Sequence, residues 1–175
     1  KDLGQYNDTC NIFWASGACF FIRSSVFKEL NGFDGDFFAH QEEIDLCWRA
    51  INKNYTIKYN GLSTIYHVGG ATLNEENPKK TFLNFRNSLF MLTKNLPKEK
   101  LFKILFIRML LDGIAGVRFL FQGKFAHFFA VLKAHFHYYH SINRNLKKRA
   151  EFQVSSYFNR YSIVFDNYIK KRHNF

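Results

Sequence analysis

The stretch HQEEIDLCWR (residues 40–49) predicts an amphipathic helix that begins with a cluster of acidic side chains. Its apolar residues, continued by one further turn, share one helix face because they follow an i, i+3, i+4, i+7 spacing: Ile44, Cys47, Trp48 and Ile51. Glu42 and Glu43 then lie in the first turn, where the helix dipole favours each acidic side chain by about 0.3–1 kcal/mol. Asp45 and Arg49 are spaced i, i+4 and are predicted to pair on the helix surface. The pattern leaves two interpretations open, an acid-stabilised helix start or a catalytic carboxylate.

Strand patterns lie on both sides of this helix. The run NIFWASGACFFIR (11–23) is rich in aromatic and β-branched residues and predicts a strand, a tight bend at Gly17 and a second strand. The run YTIKYN (55–60) alternates apolar and polar residues, as a half-buried strand does. A further extended run, LSTIYHVGG, follows at 62–70.

Two more helices are predicted from their end signals. A short helix fits between Ser24, a good N-cap, and Gly32, a good stop. A longer helix begins at Asn77 as N-cap with Pro78 in the first helical position, and Pro97 follows its end. These helices alternate with the predicted strands along the chain.

The charge of the chain is unevenly distributed. Residues 1–97 hold ten Lys or Arg and ten Asp or Glu, whereas residues 98–175 hold fifteen and four, which accounts for the net charge of +11. A basic half with many of the 22 Phe residues indicates an anionic partner, either membrane lipid or nucleic acid, or else a solvated basic face. The three cysteines form no closely spaced pair, which argues against a disulfide framework or a zinc site.

Residues 98–150 are predicted to form basic amphipathic helices that lie on a membrane surface or pack against each other. The most apolar segment, 101–121, has about the length of a membrane span. Charged residues within it make a clean transmembrane helix unfavourable: Lys103, Arg108, Asp112 and Arg118. Four histidines that follow are interpreted as polar positions at such an interface: His127, His135, His137 and His140. Residues 151–175 are predicted to be a basic C-terminal tail.

The order of the motifs over residues 11–97 resembles the second half of a family 2 glycosyltransferase of the GT-A fold, as found in bacteria. The matching pieces stand in register: the Trp14-x-x-Gly17-Ala18 bend, Arg23, Gly-Phe-Asp at 32–34, Phe-Phe at 37–38, the acidic block at 42–49, and His67. The resemblance implies the α/β class, with a partial GT-A (Rossmann-like) sheet and flanking helices, followed by the C-terminal amphipathic helices. Residues 1–97 would then be the acceptor-side half of the transferase domain.

The resemblance also implies roles for single residues. Glu43 corresponds to the general base that takes a proton from an acceptor hydroxyl, and Glu42 would orient its neighbours or contact the acceptor. Asp45 is grouped with these catalytic acids, although its pairing with Arg49 also favours a structural role. His67 corresponds to a ligand of Mg²⁺ or Mn²⁺, which would be bound mainly through an Asp-x-Asp motif outside this chain. The Asp-Gly-Asp at 34–36 has the form of that motif, but it follows a helix stop and is interpreted as a turn. The implied substrate-binding positions are Trp14, Gly17, Ala18, His40 and Arg49.

The resulting hypothesis is an inverting, metal-dependent transfer of sugar from a nucleotide-sugar donor to a glycan or lipid-linked hydroxyl in cell-envelope polysaccharide synthesis. The chain looks like a fragment without the nucleotide-binding half, so we expect it to be inactive alone, and its exposed strand edges leave a homodimer open. We expect a peripheral location at the cytoplasmic membrane face, with residues 98–150 on the lipid and no nucleic-acid partner. The alternative is a basic membrane- or nucleic-acid-binding module without catalysis.

Overall fold

The computed structural model describes residue 4 and residues 6–67, 76–155 and 170–171. These residues form two short strands and five helices in the following order: β1 (Thr9–Ile12), α1 (Ser24–Glu29), α2 (Glu42–Asn52), β2 (Ile57–Asn60), α3 (Pro78–Asn95), α4 (Lys98–Phe121) and α5 (Phe125–Lys147).

The sheet consists of β1 and β2, which pair antiparallel with Thr9 opposite Asn60 and Ile12 opposite Ile57. The predicted strand at 55–60 is therefore confirmed for its last four residues. The second strand predicted within 11–23 is wrong, because residues 18–23 have no strand partner in the described ranges and remain irregular. The mixed helix and strand composition is observed, whereas the larger GT-A sheet stays a prediction.

Gly61 allows the turn after β2 to approach the N-terminal segment closely. Its amide donates to the Asp8 carbonyl at 2.9 Å. A Cβ added at this position would lie 2.0 Å from the Tyr6 carbonyl oxygen and 2.8 Å from the Asn7 backbone. Only glycine fits this contact, which ties the chain before β1 to the end of β2.

The local signals for α3 are confirmed. The Asn77 side chain accepts a hydrogen bond from the Lys79 amide at 2.9 Å, and Pro78 occupies the first helical position. Helix α1 differs slightly from its prediction, because Ser24 is its first helical residue rather than its N-cap. It closes through Gly32, which is left-handed (φ 63°) and donates to the Phe27 carbonyl at 2.8 Å.

Helices α3, α4 and α5 pack together, and α2 packs against α3. One apolar core joins the loop before α2 to this bundle: Phe37, Leu89, Phe90, Leu105 and Tyr138. A second core fixes α1 on α2: Val26, Leu30, Leu46 and Ala50. The first core crosses the predicted domain boundary at residues 97–98, so the two parts share buried side chains.

The helices predicted within 98–150 are confirmed as α4 and α5. Within the described residues, neither these helices nor the others are both long and apolar enough to cross a bilayer. Three of the four histidines lie at helix–helix contacts. His127 Nδ1 is 2.8 Å from Thr81 Oγ1, His135 Nε2 is 3.1 Å from an Asp112 carboxylate oxygen, and the His137 ring packs on Phe82.

Candidate functional site

The acidic helix α2 starts from a strained backbone. Phe38, His40 and Gln41 all have left-handed φ angles, of 63°, 70° and 71°. Such a conformation costs about 1–3 kcal/mol for each non-glycine residue and persists only where the surroundings impose it. It places Glu42 and Glu43 in the first turn of α2, directly after a sharp change of chain direction. Strain of this kind is concentrated at functional sites.

The loop that carries this strain is held by Asn87 and Arg86 of α3. The Asn87 amide nitrogen lies 3.0, 2.8 and 2.7 Å from the carbonyl oxygens of Phe37, Ala39 and His40. Arg86 donates to the Phe37 carbonyl at 3.0 Å and to the Asn87 side-chain oxygen at 2.9 Å. Because both side chains are buried, these hydrogen bonds fix the loop in one conformation.

A second contact fixes the residue that immediately precedes α2. The Gln41 side chain donates to the Ser88 hydroxyl at 2.9 Å and to the Asn84 carbonyl at 3.2 Å. Sequence reasoning missed this set of α3 residues. The signal that could have found them is the row of polar residues in NFRNS (84–88), which stands between the apolar runs at 82–83 and 89–92.

The Trp14–Ala18 bend lies against the same helix. A Cβ built on Gly17 would lie 3.6 Å from the carboxyl carbon of Glu43, so two predicted site residues are in contact. The bend is attached one turn further along, where the Ala15 amide donates to Cys47 Sγ at 3.5 Å. Burial raises the pKa of the Cys47 thiol, which keeps it protonated in this contact.

Trp14 and Ala18 are exposed at this bend, and the exposed fraction of Trp14 is 43%. Two polar atoms on the other side of the helix start are buried without a hydrogen-bond partner, His40 Nε2 and Glu42 Oε2. Each such atom costs about 1–3 kcal/mol unless something pairs with it. Glu43 and the Gly17 bend thus lie side by side, and two buried polar atoms at the start of the same helix have unused hydrogen-bonding capacity.

Asp45 lies apart from the two glutamates. Its side chain is fully buried and accepts hydrogen bonds from Arg49 Nε at 2.8 Å, Lys94 Nζ at 2.9 Å and Asn95 Nδ2 at 2.9 Å. The predicted Asp45–Arg49 pair is confirmed, but its predicted surface location is wrong, because α3 covers it. The Arg49 guanidinium also makes structural hydrogen bonds, since it donates to the Leu30 and Gly32 carbonyls.

These contacts make Asp45 and Arg49 an anchor for α2. The grouping of Asp45 with the catalytic acids, and of Arg49 with the substrate-binding residues, has no support in their surroundings. Periodicity could not reveal the burial, because Lys94 and Asn95 lie 49 and 50 residues further along the chain.

The Asp-Gly-Asp stretch is a turn, as predicted. The Asp36 amide donates to a carboxylate oxygen of Asp34 at 3.1 Å. Asp34 also accepts from Lys94 Nζ and Lys148 Nζ, both at 2.7 Å. Burial opposes ionisation of Asp34, but the two lysines more than offset it and hold its pKa well below the usual range. Asp34 is thus a structural carboxylate that links the turn to α3 and to the end of α5.

The described residues do not form a complete metal site. No group of three or more His, Cys, Asp or Glu side chains in the described ranges is arranged to hold a metal ion. His67 is exposed in the irregular segment after β2, and residues 68–70 of the predicted extended run lie outside the described residues. Its imidazole offers a single ligand, so the other ligands of the predicted Mg²⁺ or Mn²⁺ are not supplied by this part of the chain.

Comparison with known proteins gives one informative similarity. No family model matches the chain, and no solved structure matches it with significance. The chain is 28% identical over 113 residues to the low-salt glycan biosynthesis hexosyltransferase Agl10 of Haloferax volcanii. That alignment covers 63% of this chain and 36% of the relative, so the chain spans about a third of the length of the protein it resembles.

Proposed function

We propose that this chain is part of a glycosyltransferase and carries the side of its active site that binds the acceptor. The observation that carries the proposal is the position of Glu43, which lies at a helix start on a strained, tightly held loop and against the Trp14–Ala18 bend. The similarity to a named hexosyltransferase supports sugar transfer as the reaction class.

In the proposed reaction, Glu43 acts as the general base. One of its carboxylate oxygens accepts the proton of an acceptor hydroxyl while that oxygen forms a bond to the anomeric carbon of the donor sugar. The bond from this carbon to the nucleotide diphosphate breaks, and the diphosphate keeps the electron pair. Because the hydroxyl attacks the face of the sugar opposite the leaving diphosphate, the anomeric configuration is inverted. The positive end of the α2 dipole stabilises the ionised carboxylate before the reaction.

The neighbouring residues position this base. Glu42 shares the first turn of α2 and would hold the acceptor or orient Glu43. Asn87, Arg86 and Gln41 fix the loop on which both glutamates depend, and misplacement by about 1 Å can reduce a rate a hundredfold. The exposed part of Trp14 gives the acceptor an aromatic surface at the same bend.

The finer assignments belong to the same proposal. The protein would be a bacterial family 2 enzyme of GT-A fold, with the nucleotide-sugar pocket and the Asp-x-Asp motif outside this chain. Mg²⁺ or Mn²⁺ would be bound there with His67 as an additional ligand, and such a metal stabilises a leaving diphosphate. The acceptor would be a glycan or lipid-linked hydroxyl at the cytoplasmic membrane face, reached through residues 98–150. A homodimer remains part of the hypothesis, and nucleic acid is not an expected partner.

A binding module without catalysis is the second candidate. The observation that favours it is the exposed apolar surface of α4 and α5, which has no role in proton transfer. A module of this kind would bind its partner equally well after Glu43 is replaced, and it would release no nucleotide from any sugar donor.

The test uses the full-length protein with Mn²⁺ or Mg²⁺ and a panel of UDP-, GDP- and dTDP-sugars. Glu43→Gln should lower the rate of nucleoside diphosphate release about a hundredfold or more, because it removes the base but keeps the shape of the side chain. Glu99→Gln is the matched control, since Glu99 is also a first-turn glutamate but belongs to α4. Full activity in Glu43→Gln would refute the proposed role, and a metal dependence unchanged in His67→Ala would refute the metal assignment.

A further inference from the structure

Helices α4 and α5 expose a continuous set of large apolar side chains. Six of them define what we call the outer apolar face: Phe106, Leu110 and Ile114 of α4, and Phe129, Leu132 and Phe136 of α5. Their exposed fractions range from 43% for Leu132 to 77% for Phe136. Exposed single apolar residues are ordinary, but a contiguous row along two adjacent helices marks an interaction surface.

A groove joins the two helices into one surface. It has a volume of about 410 Å³ and is lined by Met109 and Gly113 of α4 and by Leu132, Phe136 and Tyr139 of α5. Gly113 contributes to its depth, since a Cβ at that position would meet no atom within 4 Å. The recess between α4 and α5 is therefore mainly apolar, although His135 of α5 also lines it.

Basic residues flank this patch, and acidic residues are almost absent from it. Lys103 and Arg118 lie at the two ends of the exposed face of α4, about 22 Å apart at 1.5 Å per residue. Neither forms an ion pair with any described residue. The one carboxylate between residues 101 and 150 is Asp112, which is buried and bound to Arg108 at 2.7 Å and His135 at 3.1 Å.

This charge pattern selects one class of partner. A second copy of the chain would bring the same cations to the interface, and the exposed carboxylates that the described residues place near the two helices lie only at their ends, Glu99 in the first turn of α4 and Glu151 after α5. An anionic bilayer matches both features, because its acyl chains accept the apolar side chains and its head groups attract the cations. The long stems of Lys103 and Arg118 can bury beside the apolar row while their charged ends reach the head groups.

We propose that the outer apolar face is a docking surface for anionic lipid, with α4 and α5 lying in the plane of the membrane interface. Docking on lipid would bring the proposed transferase to a lipid-linked acceptor, and this proposal rests on the transferase function only in that respect. Lipid binding itself requires neither Glu43 nor a sugar donor, so the two proposals are tested separately.

The experiment is co-sedimentation of the full-length protein with vesicles of phosphatidylcholine alone or mixed with phosphatidylglycerol. The double variant Phe106→Asp with Ile114→Asp should lower binding to anionic vesicles at least tenfold. Leu62→Asp is the matched control, because Leu62 is 83% exposed but lies after β2, outside the helical hairpin. It should bind like the wild type.

The cations are tested in the same assay. Lys103→Gln and Arg118→Gln should each lower binding to anionic vesicles about fivefold and leave binding to neutral vesicles unchanged. Lys58→Gln, an exposed lysine on β2, should change neither. Circular dichroism checks that each variant is folded, and Phe129→Ser with Phe136→Ser provides a milder second test of the apolar contribution.

Three results would overturn the proposal. One is unchanged vesicle binding in both apolar double variants, and another is equal binding of the wild type to neutral and anionic vesicles. The third is a dimer, measured by light scattering, that dissociates in the Phe106→Asp, Ile114→Asp variant, since the face would then be covered by a second copy. If a variant loses vesicle binding but still releases nucleotide from the sugar donor in the presence of a soluble acceptor, the result supports lipid docking, whatever the outcome of the Glu43 test.

Discussion

Replacing Lys94 by Met should destabilise the protein strongly, because Lys94 is a buried cation between two carboxylates. Its Nζ lies 2.7 Å from Asp34 and 2.9 Å from Asp45, and its side chain is 2% exposed. Methionine keeps most of the length and apolar volume of the stem but removes the charge and the donors. The change therefore isolates the ionic contribution.

The expected loss of stability depends on the ion-pair partners that Asp34 and Asp45 retain without Lys94. Removal of one member of a buried ion pair costs about 3–5 kcal/mol, since the remaining charge is left without compensation. Asp45 retains Arg49, and Asp34 retains Lys148, so we expect the lower end of that range, about 3 kcal/mol. Lys148→Met is the matched control. Lys148 is 34% exposed, and its loss should cost about 1 kcal/mol or less.

The assay is urea unfolding of the full-length protein, followed by tryptophan fluorescence at several pH values. The Asp34 pKa is lowered in the folded state, so the stability it contributes is present above its unfolded pKa of about 3.9 and is lost as the pH falls further. The difference in the free energy of unfolding between wild type and Lys94→Met should therefore become smaller below about pH 4. A Lys94→Met protein as stable as Lys148→Met at pH 7, or a gap that widens in acid, would refute this reasoning.

Three further predictions concern backbone and loop contacts. Gly61→Ala should destabilise the β1–β2 pairing, because its Cβ would collide with the backbone of Tyr6 and Asn7. Gly113→Ala lies in open space on a helix and should stabilise the protein by up to about 1 kcal/mol. Thermal unfolding measures both variants, and equal changes in Tm would contradict the close approach at Gly61. Gly17→Ala should keep nucleotide release near the wild-type rate, since a Cβ makes ordinary contact with Glu43, but Gly17→Val should lower it by displacing that side chain. Asn87→Ala should reduce both the stability and the rate, because the Ala39 and His40 carbonyls of the strained loop lose the Asn87 donor and the Phe37 carbonyl keeps only Arg86. A loss of stability with the full rate retained would argue against a positioning role.

The elements predicted best are those fixed by neighbouring residues. Helix α3 follows from Asn77 and Pro78, and α2 follows from its apolar spacing, because capping and amphipathic burial are read within a few turns. The first of the two strands predicted within residues 11–23 is displaced for the opposite reason. Its pairing depends on β2, more than 40 residues away, and the ladder begins earlier, at Thr9.

In the candidate site, too, features set by nearby residues could be predicted, and features set by distant contacts could not. The acidic start of α2 and the Gly17 bend could be identified from motif order, and the two lie in contact. The burial of Asp45 could not, because it depends on where α3 crosses α2. The left-handed residues at the α2 start were missed as well, since neither Phe38 nor Gln41 is a residue whose type suggests that conformation, and even histidine, which is enriched there, adopts it seldom.

The contacts between the Asp-Gly-Asp turn and the end of α5 have a consequence for the order of folding. Lys148 is bound to Asp34 and Asp36 across 114 and 112 residues of sequence, and Arg144 adds a contact to Asp36 at 3.0 Å. A ribosome must therefore synthesise most of this chain before the turn ahead of the catalytic candidates can acquire its last partners. Contacts of such high sequence separation form slowly, because a long loop must close first. The Asp-Gly-Asp turn would thus reach its final setting late, after α4 and α5 are complete, whereas the loop that carries Glu42 and Glu43 can already be held by α3.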